Sequence, residues 1–435
     1  MDPHHVVLVP GFFGFGSLGE LTYFVGVKAA LEREFARLSL NVEVAVVPTL
    51  PTASIRHRAA RVSETLAAVA RARPGPIHIV GHSTGGLDAR LAIAPTSSLP
   101  TRNKFHDHER LRTLVTICTP HFGTPLASAF GSAAGYPLLK LMAALSTLLL
   151  RHGYVPLRLA LRLASFVVKA DDVLGFDKTV ADQFFRDVIA DFSPERRAEL
   201  VAFIEGVSSD QSLIFQLTPA GCDLLNASTA DPDNLRYGSV VCRARPPAWS
   251  NLLHFKHNPY AQSMHALYAL LHQLASHAND KHFPPPVPEQ RAVLTRAFGQ
   301  FPERSWSDGI VPTLSQIWGE VIHATTADHL DVVGHYGAAR PGKPTTDWLP
   351  TRSGFDDHAF DELWGDVARF ITEEAHQADA PRSRYRRNIG VERTEVEPHE
   401  TTESAAPRSR LVTADERARD ALKSLPPDPR RASSS

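Results

Sequence analysis

The chain has 435 residues, enough for about three domains, or for one large domain with an insertion and a tail. Hydrophobic residues make up 43% and charged residues 21%, so a large core can be buried, and a mean hydropathy of -0.16 argues against an integral membrane protein. Lys and Arg number 46 against 47 Asp and Glu, and the resulting net charge of -1 excludes nucleic-acid binding by bulk charge. The three cysteines, at 118, 222 and 242, are odd in number, form no disulfide framework and lack zinc-ligand spacing.

Residues 1–5 carry no Lys or Arg, and the apolar run that follows is only one strand long. No signal peptide is expected, and with the odd cysteine count this favours a cytoplasmic protein. Val6 to Val9 is a buried strand ended by Pro10-Gly11, and a glycine-rich loop follows. Residues 21–38 look helical. Residues 42–47 make a second strand stopped by Pro48, and 55–71 a helix. Ile77-His78-Ile79-Val80 is a third strand that runs into Gly81-His82-Ser83-Thr84-Gly85-Gly86, with a helix expected over 87–94. Residues 114–118 are a fourth strand, stopped by Thr119-Pro120. Strands alternating with helices predict a mostly parallel sheet with helices on both faces, an α/β architecture.

The alternation breaks after Gly123. Residues 125–235 read as an inserted, mainly helical region, and 136–168 are strongly apolar. Lys140, Arg151, Arg158 and Arg162 interrupt that stretch, so it does not span a membrane. Leu138, Leu141, Leu145 and Leu149 share one helical face. Two readings stay open: a helical subdomain packed on the core, or a lid with a greasy inner face. The sheet resumes over 237–242. A helix is expected over 259–278, a proline-rich loop over 283–288, a last strand over 320–324 and a closing helix over 360–374. This divides the chain into core at 1–124, insertion at 125–235, core at 236–374 and a disordered tail at 375–435, rich in Arg, Glu, Pro, Ser and Thr.

The strongest chemical signal is Gly81-His82-Ser83-Thr84-Gly85, a G-x-S-x-G between a strand and a helix. A serine hydroxyl needs an exposed, sharply turned position to reach a carbonyl carbon, and flanking glycines remove side chains that would clash there. A nucleophilic serine needs a base, and the base an orienting carboxylate. Asp308 stands in the tight turn Ser307-Asp308-Gly309-Ile310, and His329 follows 21 residues later in Ala327-Asp328-His329-Leu330-Asp331. His323 and His335 compete with it: the first falls inside a strand and the second further along. Two backbone donors could meet a developing oxyanion, one from the loop Pro10-Gly11-Phe12-Phe13-Gly14 and one from Thr84. Gly14-Phe15-Gly16-Ser17-Leu18-Gly19 also matches a dinucleotide fingerprint, but it does not end the strand directly, as that motif requires.

Taken in order, Val6-Val7-Leu8-Val9-Pro10-Gly11-Phe12, Gly81 to Gly86, Thr119-Pro120-His121-Phe122-Gly123-Thr124, Asp308-Gly309-Ile310-Val311 and His329-Leu330-Asp331 resemble the bacterial triacylglycerol lipases of the Pseudomonas/Burkholderia type. The resemblance implies an α/β-hydrolase fold with a helical lid. It implies Ser83 as nucleophile, Asp308 as acid, His329 as base, and backbone donors at Phe12 and Thr84. Those lipases begin the oxyanion loop with His-Gly and carry Gln after the nucleophile, where this chain has Pro10-Gly11 and Thr84. The resemblance also implies a structural calcium, with Asp331 as one ligand. Its second Asp is expected about twenty residues before Asp308, where residues 283–288 hold none. The chemistry itself requires no cofactor.

The leading expectation is a serine ester hydrolase, a lipase or esterase, acting on lipophilic esters. Leu145 and Leu149 would belong to its acyl site, and the lid would touch a lipid interface transiently. An acyltransferase or polyester depolymerase with the same triad, and a non-catalytic binding protein on the same fold, are the alternatives.

Overall fold

A computed structural model describes residues 2–12, 23–50, 52–131, 212–248, 259–277, 283–337, 347 and 349–373. All of them belong to one compact unit, Met1–Ile389; a second unit, Gly390–Ser435, lies outside the described residues. Residues 132–211, which hold most of the expected insertion and both Leu145 and Leu149, also lie outside them. So do residues 14–19 and the tail from 375.

The framework is a six-stranded, wholly parallel sheet. Its strands are β1 His4–Val9, β2 Val42–Val46, β3 Ile77–His82, β4 Leu111–Ile117, β5 Arg236–Arg243 and β6 Glu320–Thr326, in spatial order β2-β1-β3-β4-β5-β6. The described helices are α1 Val27–Arg37, α2 Ile55–Ala72, α3 Thr84–Ile93, α4 Pro125–Phe130, α5 Ser212–Gln216, α6 Pro219–Ser228, α7 Pro259–Ala275, α8 Pro288–Phe298 and α9 Asp357–Glu373. Every residue of β1 and β3 is buried, as expected where helices cover both faces of a parallel sheet. One face packs Val27, Leu31 and Phe35 of α1 with Leu363, Trp364 and Phe370 of α9. The other packs Ala59, Val62 and Leu66 of α2 with Ala89 and Ile93 of α3. The Val, Leu, Ile and Phe side chains among them each contribute roughly 1.5–3 kcal/mol by leaving water.

Among the described residues no helix is long and apolar enough to cross a membrane. The strand order reverses beside β1, between β2 and β3. At such a switch point the loops leaving the two central strands diverge to opposite faces, and a crevice opens at the carboxyl ends of the strands. Gly11 and Ser83, which follow β1 and β3, therefore become neighbours. This is the α/β-hydrolase arrangement.

Three elements differ from the sequence expectation. Helix α1 begins at Val27 rather than at 21, because Gly26 takes a left-handed φ of 74° and ends the preceding turn. Tyr23 is thereby released from a helix. Helix α3 begins at Thr84, directly after Ser83, and includes both glycines. Helix α8 had not been anticipated. Pro288 sits in its first turn, where no N–H is needed, the Gln290 side chain accepts from Val287 N–H at 2.9 Å, and Gly299 ends it at φ 77°. Those cues were present behind the proline run.

Candidate active site

Ser83 occupies the turn between β3 and α3 with φ 56° and ψ -130°, a conformation L-residues rarely adopt. Its N–H donates to Ile117 O at 2.8 Å, which ties the turn to β4. The flanking glycines are required by close approach. A Cβ on Gly85 would come within 2.2 Å of Val9 O, and one on Gly81 within 2.6 Å of the Gly86 backbone. The local sequence thus permits the sharp turn, and the sheet's neighbours hold it.

Asp308 stands in a turn closed by Asp308 N–H to Val311 O at 3.1 Å. Its Oδ1 accepts from Ile310 N at 2.9 Å and Val311 N at 2.8 Å. Its Oδ2 accepts from Gln316 Nε2 at 3.2 Å and from His329 Nδ1 at 2.7 Å. The far ring nitrogen of His329, Nε2, lies 2.9 Å from Ser83 Oγ. The His329 backbone N–H also donates to Asp308 O at 3.0 Å. All three side chains are buried. Because Asp308 holds the proton on Nδ1, the bare Nε2 can accept the Ser83 proton.

The competing histidines lie elsewhere. His323 pairs with Asp366 at 2.8 Å, and His335 Nε2 bonds Tyr23 O at 3.0 Å. His82, which the sequence reading had not singled out, packs at 4.8 Å between ring centroids from His329, and its Nε2 lies 2.9 Å from His329 O. Burial and the neighbouring His329 hold His82 well below the usual histidine range, so it is neutral. All three cysteines are free and buried. Desolvation pushes the Cys118 and Cys242 thiols up.

Gly11 lies against the nucleophile: a Cβ there would meet Ser83 Cβ at 2.5 Å. Phe12 follows Gly11 in the chain, and Thr84, which follows Ser83, is the first residue of α3. A helix N-terminus presents unpaired N–H groups and a partial positive charge toward a developing anion.

Asp331 does not stand alone. One carboxylate oxygen from each of Asp331, Asp328 and Asp347 lies within 4.8 Å of the others, and Asp328 and Asp331 flank His329 in the chain. Neither partner is upstream of Asp308, where the second aspartate had been expected. Asp328 Oδ1 accepts from the N–H groups of Leu330 at 2.8 Å and Asp331 at 3.1 Å. Asp331 Oδ2 accepts from Ser353 Oγ at 2.8 Å and from Asp328 N at 2.9 Å. Among the described residues, the buried Asp347 Oδ1 has no hydrogen-bond partner. Desolvation and mutual repulsion push all three upward, Asp331 to about 8. Three desolvated carboxylates, one with an oxygen left unpaired among the described residues, are the kind of donors a hard cation takes, so the residues fit a calcium-like ion. The sequence signal for Asp328 was its place beside His329; Asp347 carried none.

A family model described as "Putative serine esterase (DUF676)" matches residues 3–153. A sequence search of curated proteins finds no match. Among solved structures, the chain is similar to Staphylococcus hyicus lipase at 14% identity and TM-score 0.48, covering 86% of this chain and 97% of that one. Lipase 1 from Pelosinus fermentans is similar at 18% identity and TM-score 0.45, over 85% of this chain and 99% of that one. EstA from Clostridium botulinum is similar at 17% identity and TM-score 0.44, over 85% and 87% of the two chains.

Proposed function

We propose that this chain is a serine carboxylic-ester hydrolase, of lipase or esterase type, that cleaves lipophilic esters through an acyl-enzyme on Ser83. The observation that carries the reading is the continuous hydrogen-bond chain from Ser83 Oγ through His329 to Asp308, at 2.9 and 2.7 Å. The serine-esterase family match over residues 3–153 supports it.

In this reading Ser83 Oγ attacks the ester carbonyl carbon while His329 Nε2 takes its proton. Asp308 holds the imidazolium that forms. The carbonyl oxygen becomes an oxyanion and receives the N–H groups of Phe12 and Thr84. The tetrahedral intermediate collapses, the alcohol leaves with the proton from His329, and the acyl group stays on Ser83. Water then repeats the sequence with His329 as base and releases the acid. Each well-aimed oxyanion donor is worth about a hundredfold or more in rate.

The chemistry uses no cofactor. A cation held by Asp328, Asp331 and Asp347 would serve as structure: it would neutralise the cluster and fix the loop that carries His329. The lipophilic substrate class rests on the leucine-rich stretch at 136–168, with Leu145 and Leu149 assigned to the acyl site. The decisive experiment labels the protein with a fluorophosphonate and maps the adduct. The expected result is modification at Ser83, lost in Ser83→Ala. An unlabelled, folded wild-type protein would make this a binding module instead.

A further inference from the structure

One residue of the loop after β1, Gly11, is held on both of its backbone polar groups by side chains from distant parts of the chain. Its N–H donates to Tyr23 Oη at 3.0 Å. Its carbonyl accepts from Arg58 Nη2 at 3.1 Å, and the preceding Pro10 carbonyl accepts from the same nitrogen at 2.9 Å. Arg58 reaches up from α2, is fully buried, and also donates to Leu50 O. Its remaining contacts run to α3: Thr84 Oγ1 at 3.3 Å, and the carboxylate of Asp88, one turn along, at 2.8 Å. Arg58 thus joins the loop carrying Phe12 to the helix that begins with Thr84.

The Tyr23 side continues in the other direction. Tyr23 Oη lies 2.6 Å from His82 Nδ1, and His82 Nε2 lies 2.9 Å from the His329 carbonyl. A carbonyl can only accept, so the His82 proton is on Nε2. His82 is neutral, so Nδ1 is bare and accepts from the Tyr23 hydroxyl. Burial raises the Tyr23 phenol well above its ordinary range, which keeps it a donor. The hydroxyl is then committed: it accepts from Gly11 and donates to His82. The chain of bonds runs from Gly11 N–H through Tyr23 and His82 to the backbone of His329.

The peptide between Gly11 and Phe12 is trans, as every described peptide is. Across a planar trans peptide the Gly11 carbonyl and the Phe12 N–H point in opposite directions. Anchoring the Gly11 carbonyl therefore sets the direction of the Phe12 N–H. Glycine alone would leave that direction soft, since it tolerates most of φ/ψ space. No larger residue can replace it, because a Cβ would strike Ser83.

We infer that Tyr23 and Arg58 are positioning residues that clamp Gly11 from its two sides, aim the Phe12 N–H at the reacting carbonyl oxygen, and hold that donor in register with Thr84 and His329. The inference rests on the ester-hydrolase reading above. A donor misaimed by a fraction of an ångström loses most of its effect on the transition state while ground-state binding is untouched.

The test is Tyr23→Phe, which removes one hydroxyl and keeps the ring packed on Phe24 and His82. The variant is expected to melt near wild type, to keep KM within about twofold, and to lose roughly 10- to 100-fold in kcat and in the rate of fluorophosphonate labelling at Ser83. Arg58→Lys gives an independent reading, because one ammonium cannot reach both loop carbonyls and Asp88 as a guanidinium does. It is expected to show the same split, and adding it to Tyr23→Phe should cost less than the product of the two effects. Labelling of folded Tyr23→Phe at the wild-type rate would overturn the clamp. So would a rise in KM with kcat unchanged, which would make Tyr23 a substrate contact. A wild-type protein that does not label at all would overturn the ester-hydrolase reading first, so the two failures are distinguishable.

Discussion

His329 Nε2 lies 2.9 Å from Ser83 Oγ, although 246 positions of sequence separate the two residues. Both side chains are almost wholly buried, so the contact is formed in a site with little water. Replacing Ser83 by Ala is expected to leave the fold intact and to reduce ester hydrolysis by several orders of magnitude. Turnover of a chromogenic ester, beside a thermal melt, checks it. Near wild-type turnover would move the nucleophile elsewhere.

Asp308→Asn tests the second half of the chain. The amide oxygen can still accept from Ile310 and Val311, so stability should hold. The amide nitrogen then faces His329 and favours the tautomer with its proton on Nε2, which cannot take the serine proton. A loss of about a thousandfold or more in kcat is expected, with little change in melting temperature. A loss of less than tenfold would show that Asp308 does not orient the base.

Removal of divalent cations tests the Asp328, Asp331 and Asp347 cluster. A chelator at neutral pH is expected to lower the melting temperature by roughly 5–10 °C, and added calcium to restore it. Magnesium should restore it poorly, because it demands a smaller octahedral shell. Asp347→Asn should abolish the response while leaving the fold. A wild-type melt indifferent to chelator and to calcium would show that the cluster holds no cation.

The lower end of the sheet predicts a pH dependence of stability. His4 Nδ1 and His78 Nε2 are 3.0 Å apart, and His78 Nδ1 meets Thr113 Oγ1 at 2.8 Å. Burial, then the neighbouring His5, lowers His4; burial, then His4, Arg112 and His5, lowers His78. Both folded-state values lie below the ordinary 6.5, so the unfolded chain binds protons more readily there. Their stabilising share is complete above that value and is lost as pH falls below it, by up to about 1.4 kcal/mol per histidine per pH unit. Asp88, pushed up to about 6 by burial, works with the opposite sign: its share is lost as pH rises. The measurement is therefore a difference: melting curves of wild type and His78→Leu from pH 7.5 to 5. The variant should show the shallower fall, and parallel slopes would sink the assignment.

Chain-length preference tests the substrate class. If Leu145 and Leu149 contribute to the acyl site, activity should rise from acetate toward medium-chain esters, by up to about 0.8 kcal/mol per buried methylene. Replacing both by Ser should penalise long esters more than acetate. Equal losses at every length would leave the insertion as a packed helical region without a substrate role.

What could be known from the sequence alone was local. The run Ile77 to Gly86 announces a strand, a forced turn and a helix, because glycines at 81 and 85 are a steric statement about their own neighbourhood. The order of β1 to β6 along the chain was visible for the same reason, since continuous apolar runs mark strands covered on both faces. Asp308 and His329 could be nominated by turn chemistry and by order after Ser83, with His323 ranked lower for its place inside a strand and His335 for lying further along. In the fold His323 meets Asp366 and His335 meets the Tyr23 backbone, while His329 lies beside Ser83. Tyr23, Arg58, His82 and Asp347 were invisible, because each acts on a group far away in sequence and none belongs to a periodic pattern. Tyr23, Arg58 and His82 meet only when the reversal of strand order beside β1 brings the loops after β1 and β3 together, and Asp347 meets Asp328 and Asp331 only beyond β6. Burial then gives most backbone oxygens and carboxylates there a partner, since an unpaired polar group in that interior costs a sizeable part of the chain's marginal stability.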